Sequence, residues 1–287
     1  MKNILKSLCL LAILPVSALF AQDERTSVHR NLKLAFEFGV NVMSCELAKP
    51  EQIRENHYLR YYYRDSYYSD YGSFGDYGNL QTLNFGVKPE IFVFYNRIGI
   101  ASGLRFTYVE TKLSSDRSDY LWKLREDGLN TYYVQIKDIR QKNYLLGIPL
   151  EVRFFPNKRE LPFQQYVKLG ASFNYRIHHD TKVNFARFTM EKYNDEVHNQ
   201  LPDNNTFSAF IFGAVGFKIG RYKEGKMKPW GNIEFQFPYV MVAKNSFAFA
   251  GRYDIDEFPG VGFQMSLQIP IGKNVPIGSK YISNSIL

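Results

Sequence analysis

The sequence predicts an all-β protein: an eight-stranded antiparallel up-and-down transmembrane β-barrel with four long extracellular loops. Three observations predict it. Apolar and polar residues alternate with a period of two in seven segments, and an eighth is apolar on both faces. The apolar face of those segments carries no charge near its centre. The connections between them run long, short, long, short, long, short, long, the pattern of an outer-membrane barrel with short periplasmic turns and long outer loops.

The first segment, 32–44, sets the pattern. Leu32, Leu34, Phe36, Phe38, Val40 and Val42 lie on one face, against Lys33, Ala35, Glu37, Gly39 and Asn41 on the other. A second strand is expected over 80–95, with Phe85, Val87, Ile91 and Val93 opposed to Asn84, Gly86, Lys88 and Glu90. Only Asn96 and Arg97 separate it from a third, where Ile98, Ile100, Leu104 and Phe106 oppose Gly99, Ala101, Gly103 and Arg105, so the two form a tight hairpin. The fourth, 144–155, turns Leu146, Ile148, Leu150, Val152 and Phe154 outward against Gly147, Pro149, Glu151 and Arg153. The fifth, 165–177, sets Val167, Leu169 and Phe173 against Lys168, Gly170, Ser172, Asn174 and Arg176. The sixth, 207–220, is apolar on both faces, and an inward Lys218 places Ile211, Val215, Phe217 and Ile219 outward. Ile233, Phe235, Phe237 and Tyr239 mark the seventh against Asn232, Glu234 and Gln236. Val261, Phe263, Met265, Leu267, Ile269 and Ile271 mark the eighth against Gly262, Gln264, Ser266 and Gln268. Within the second long connection, 118–124 is expected to be a short helix capped by Ser118, followed by a turn at Asp127-Gly128. Pro89, Pro149, Pro238 and Pro270 fall inside predicted strands, where each removes a ladder donor and so points to a bulge or a strand end.

Residues 1–21 read as a secretory signal peptide. Lys2 and Lys6 precede an apolar run, and small residues around Ala18 and Ala21 suit cleavage. The run is shorter than the ~20 residues a spanning helix needs. Residues 22–31 form a periplasmic lead-in, 32–272 the barrel, and 273–287 a tail of Gly, Pro, Ser and Asn outside it. Without the leader Cys45 is the one remaining cysteine, so no intramolecular disulfide is possible. The formal net charge is +8, and Lys2 and Lys6 supply two of those charges. In an exported chain that balance argues for anionic lipid or acidic partners rather than nucleic acid. The mean hydropathy of −0.31 does not conflict with a membrane location, because a barrel averages a lipid face against a polar lumen face. The 21 Tyr and 24 Phe suit a chain that meets a water–hydrocarbon boundary.

In hydrocarbon an unpaired backbone N–H or C=O costs several kcal/mol, so strands span only in a closed sheet. A ring of eight has an interior filled by side chains, which excludes a diffusive pore. Inward positions accordingly mix signs. Lys88, Arg105, Arg153, Lys168, Arg176 and Lys218 can be balanced by Glu37, Glu90, Glu151 and Glu234, and such a lumen charge network should pair internally. A water-soluble barrel would need the opposite arrangement, since the outward belt exceeds the few hundred Å² of apolar patch a soluble monomer shows.

The fourth strand, Tyr144-Leu145-Leu146-Gly147-Ile148-Pro149-Leu150-Glu151-Val152-Arg153-Phe154-Phe155, resembles the "IPL" strand of the PorT-type outer-membrane β-barrel family. The resemblance extends to Gly103-Leu104, Lys168-Leu169-Gly170 and Phe212-Gly213-Ala214-Val215-Gly216, and covers roughly 32–272. It implies an eight-stranded outer-membrane barrel, and for the family's namesake an accessory role in a protein secretion system. The chain departs from the usual barrel ending, because Ile269-Pro270-Ile271-Gly272 and a tail replace a terminal aromatic residue.

Candidate chemistry is sparse. In the first loop Tyr58, Arg60, Tyr61, Tyr62, Tyr63, Arg64, Tyr67, Tyr68 and Tyr71 form either a sticky surface for a protein or glycan, or a set of rings packed over the barrel mouth. His178, His179, Asp180, Glu191, Asp195, Glu196 and His198 could approach a divalent metal, but no spacing matches a ligand motif. Ser172 and His178 share a strand, with no G-x-S-x-G, and on the expected register Ser172 faces the lumen. The expectation is therefore a non-enzymatic outer-membrane protein without cofactor or metal, with loops outside and termini in the periplasm. It would serve as a partner subunit or surface-binding protein in contact with outer-membrane lipid and an envelope or secretion-system protein. The alternative is an envelope enzyme that hydrolyses lipid A or phospholipid.

Overall fold

The computed structural model describes residues 31–46, 53–54, 77–93, 97–114, 120–127, 130–156, 163–201, 205–223, 226–242 and 260–271. The expected leader, the lead-in before residue 31, the fourth loop and the tail after residue 271 lie outside those residues. Its strands are β1 (Asn31–Glu46), β2 (Ile53–Arg54), β3 (Tyr77–Val93), β4 (Ile98–Ser102), β5 (Leu104–Ser114), β6 (Tyr120–Asp127), β7 (Asn130–Phe154), β8 (Phe163–Phe185), β9 (Phe207–Lys223), β10 (Lys226–Met241) and β11 (Gly260–Pro270). All pairings are antiparallel. β1 pairs with both β3 and β11, and β7 pairs with β8 as well as with β4 and β5. Counting β4 and β5 as one interrupted strand, the sheet closes in a ring of eight that contains each of the eight segments expected to be strands.

The alternation decides which face is which. On β1, Lys33, Ala35, Glu37, Asn41 and Met43 are buried, while Phe36, Phe38, Val40 and Val42 are exposed. The same inversion runs round the ring through Val87, Leu104, Leu150, Val152, Leu169, Val215, Phe235, Phe263 and Leu267, all exposed. On β9, whose two faces are both apolar, Lys218 is buried and Ile211 and Val215 point out.

The four prolines sit where the ladder is already interrupted. Pro270 ends β11. Pro238, after a cis peptide, lies within the register shift between Gln236 and Tyr239 against both neighbours of β10. Pro149 faces the break between β4 and β5, because the register on either side of the break sets Gly103 opposite Pro149 on β7 and Lys88 on β3. The missing donor of Pro149 therefore removes no bond from that side, and Pro89 adjoins the same break. Gly103 cannot carry a side chain, since a Cβ there would lie 2.7 Å from Lys88 Cα.

Two expectations are corrected on the loop side. Residues 120–127 are not helical but form β6, whose Trp122 and Leu124 are buried together. A helix would turn those two side chains to opposite sides, whereas a strand keeps them on one face against Val134 and Ile136 of β7. The strands expected over 144–155 and 165–177 both run further into the loops, and β7 begins at Asn130. β8 continues to Phe185, followed by a 3₁₀ turn (Phe188–Tyr193) and a short helix α1 (Asn194–Gln200). Extended β7 and β8, with β6, the end of β5 and α1, build a lobe on one side of the ring, with its own core of Leu113, Trp122, Ile136, Ile139, Val183 and Val197.

Candidate functional site

The interior of the ring is stacked in layers. At the end of the short turns, Phe92, Phe155 and Tyr166 form an aromatic floor, with ring centroids 5.7 and 5.0 Å apart. Lys33 and Lys218 lie over Phe92 at 4.4 and 4.8 Å. At the loop end, Met43, Leu80, Val109, Phe210, Phe212 and Tyr239 belong to an apolar ceiling. Tyr239 was expected on the outward face with Phe237, but the register shift between Gln236 and Tyr239 adds a residue there and turns its ring inward. Between the two layers lie four carboxylates and four cations.

Glu37 takes a two-pronged contact from Arg105, 2.5 Å to Nε and 3.0 Å to Nη2, and a second cation from Lys88 at 2.5 Å. Arg105 Nη2 also donates to Glu151 at 2.6 Å, and Lys88 joins Glu151 as well. Arg153 bridges Glu90 at 2.7 Å and Glu234 at 2.8 Å, while Lys168 and the Tyr166 hydroxyl, the latter at 2.6 Å, complete the shell of Glu234. Gln264 donates to Glu37, and Gln268 to Glu90. None of these charged side chains is more than 4% exposed. The network is formally neutral, and it satisfies the requirement that buried charges be paired and hydrogen-bonded. Glycines make room for it: a Cβ on Gly86 would lie 2.9 Å from Glu37 Cγ.

Of the ten residues expected in the lumen network, eight are joined in this way. Lys218 belongs to the aromatic floor instead, and Arg176 sits opposite Leu145 towards the loop end. The neutral members that bind the carboxylates, Tyr166, Gln264 and Gln268, were absent from that set, although their inward positions follow from the same alternation.

Outside the ring, Tyr108, Tyr144 and His178 form one cross-strand row, with ring centroids 5.5 Å apart in each pair. Below this row, among the described residues, the outward face is uncharged and, but for Ser102 and Gln165, apolar. Above it charged side chains begin, with Glu110, Lys142 and Asp180.

The nine first-loop residues from Tyr58 to Tyr71 lie outside the described residues. Ser172 and His178 are not brought together: Ser172 is buried and bonded to Asn174 at 2.9 Å, whereas His178 stacks on Tyr144 outside. His198 points both ring nitrogens at backbone carbonyls, Nδ1 at Asn194 (2.9 Å) and Nε2 at Thr181 (2.8 Å), and so ties α1 to β8. Among the described residues no three His, Cys, Asp or Glu side chains converge as metal ligands would. A cleft of about 520 Å³ between β8 and α1 includes Lys182, Glu191, Asn194 and His198 in its lining. No protein-family profile and no curated protein matches this sequence.

Proposed function

We propose that the chain is a non-enzymatic, eight-stranded transmembrane β-barrel of an outer membrane, with its lobe and loops outside and both termini in the periplasm. One observation carries this reading: four carboxylates and four cations are sealed inside the ring while Phe, Leu, Val and Ile side chains cover the outside. In water that arrangement buries charge and exposes grease; in lipid each face meets its proper solvent. The dimensions agree. Leu32 to Val42 covers about 33 Å of strand at ~3.3 Å per residue. Tilted by the ~40° of a small barrel, that spans about 25 Å, the height of an outer-membrane apolar band. The Tyr108, Tyr144, His178 row then falls at the interface, where aromatic girdles occur.

The floor, network and ceiling fill the interior, which supports a scaffold rather than a channel. The lobe is the part built to meet something else, so the role we assign is partner subunit or surface-binding protein. The PorT-like resemblance makes an accessory of a protein secretion system its sharper form. The test is expression with the leader, membrane fractionation and affinity capture from a mild detergent extract. Recovery in the outer membrane with a stoichiometric envelope partner is the expected result. A compact monomer that stays dissolved without detergent, or hydrolysis of purified lipopolysaccharide by the protein alone, overturns it.

A further inference from the structure

Above the aromatic row, the outward faces of β5, β7 and β8 continue in register. The next row is Glu110, Lys142 and Asp180, and the row beyond it is Lys112, Arg140 and Lys182. In that second row three exposed cations stand on adjacent strands about 4.8 Å apart. Like charges placed directly opposite one another destabilise a sheet, so the row calls for an anion. The described residues supply little of one. Asp138 lies 3.2 Å from Arg140 Nε, and its Oδ1 also accepts from Asn184 at 2.7 Å. Among the described residues neither Lys112 nor Lys182 makes an ion pair. Glu110 is directed back towards the aromatic row, where it accepts from the Tyr108 hydroxyl at 2.7 Å. Asp180 stands beside Lys142 in the intervening row.

We propose that Lys112, Arg140 and Lys182 bind the phosphate groups of the lipid leaflet on the loop side, the kind carried by a phosphorylated glycolipid. This rests on the membrane-spanning reading above. The row stands four residues beyond Tyr144, about 13 Å along the strand and about 10 Å in height at the tilt of a small barrel. Headgroups extend roughly 5–8 Å past the hydrocarbon on each side, within reach of long Lys and Arg side chains that lean back towards them. The site is therefore continuous with the apolar belt: acyl chains lie against Phe106 and Leu146, sugars against the tyrosines, and phosphates against the cations.

The experiment uses the full chain in non-ionic detergent, with folding checked by the heat-dependent shift of gel mobility. Bis-phosphorylated lipid A and its dephosphorylated form are titrated in separately, and the bound fraction is read by native mass spectrometry. The expected result is at least a tenfold preference for the phosphorylated form, abolished in K112Q/R140Q/K182Q and weakened by 0.5 M salt, since exposed charges are screened at that strength. If the triple variant does not fold, the single exposed changes K112Q and K182Q should each lower the preference two- to threefold. Equal binding of the two lipids, a preference that survives in the folded triple variant, or binding of polyglutamate in place of lipid A overturns the proposal while leaving the barrel standing. A chain that is soluble without detergent overturns the reading beneath it instead.

Discussion

Glu234 shows how closely the interior is poised. Its carboxylate is shared by Arg153, Lys168 and the Tyr166 hydroxyl, with no water-facing side. Glu234→Ala therefore leaves two buried cations short of a counter-charge, and removal of one partner from a buried ion pair costs about 3–5 kcal/mol. The expected outcome is a fall of that size in unfolding free energy, measured by urea titration of the protein refolded into lipid vesicles. Glu234→Gln should cost less, because the amide keeps an acceptor for Tyr166. Gly86→Ala tests room rather than charge. Its methyl group would press on Glu37, and overpacking of this kind costs about 1–3 kcal/mol, read by the same titration. That these inward residues are polar was legible from the alternation of the strands. Which Glu meets which Arg was not, because Glu234 and Arg153 lie 81 residues apart and meet only once the ring has closed.

The lobe separates from the ring at the level of elements. Trp122 of β6 is fully buried against β7, β8 and α1, and its indole Nε1 donates to Gln200 at 2.8 Å. Trp122→Ala removes the largest member of that cluster, and large-to-small changes of this kind cost about 3–5 kcal/mol. Trp122 packs on the extensions of β7 and β8 beyond the ring and belongs to none of the layers inside it, so the variant should still insert and keep its heat-dependent gel shift, while limited proteolysis from outside cuts between β6 and α1. The lobe is also where sequence reading was weakest. In the ring one face is largely apolar, so period two stands out over every strand but β9, where an inward Lys218 sets the register. Above Tyr144 the outward face of β7 carries Lys142 and Arg140, and the register shift near Ile136 breaks the alternation. β6 has only Trp122 and Leu124 on its buried face, too few to outweigh a Ser118 helix cap. The Asp127-Gly128 turn did mark the hairpin, since Asp127 pairs with Asn130 across it. α1 has seven residues and one fully buried side chain, Val197, which leaves no periodic pattern to find.

For the whole molecule, the decisive question is which solvent surrounds the belt, and depth answers it. Phe36 lies midway along the apolar face of β1, level in register with Val87 and Leu267, while Val42 lies near its loop end. In a bilayer an arginine at the midplane costs about 2–4 kcal/mol and one near the interface about 0–1, because a guanidinium close to the edge can reach water. In water both substitutions would replace an exposed hydrophobe with a soluble residue and cost little. Phe36→Arg and Val42→Arg should therefore differ by roughly 2–3 kcal/mol in vesicles, with Phe36→Arg the less stable. Lys112→Leu, two rows above the aromatic band, supplies the reverse control: an apolar residue placed beyond the hydrocarbon gains nothing from burial there. The measurement is urea unfolding in vesicles of two acyl-chain lengths. If depth is the cause, shortening the chains moves the edge towards Phe36 and narrows the gap between the two arginine variants. A gap that is absent, or that ignores bilayer thickness, would mean that the exposed phenylalanines face something other than lipid.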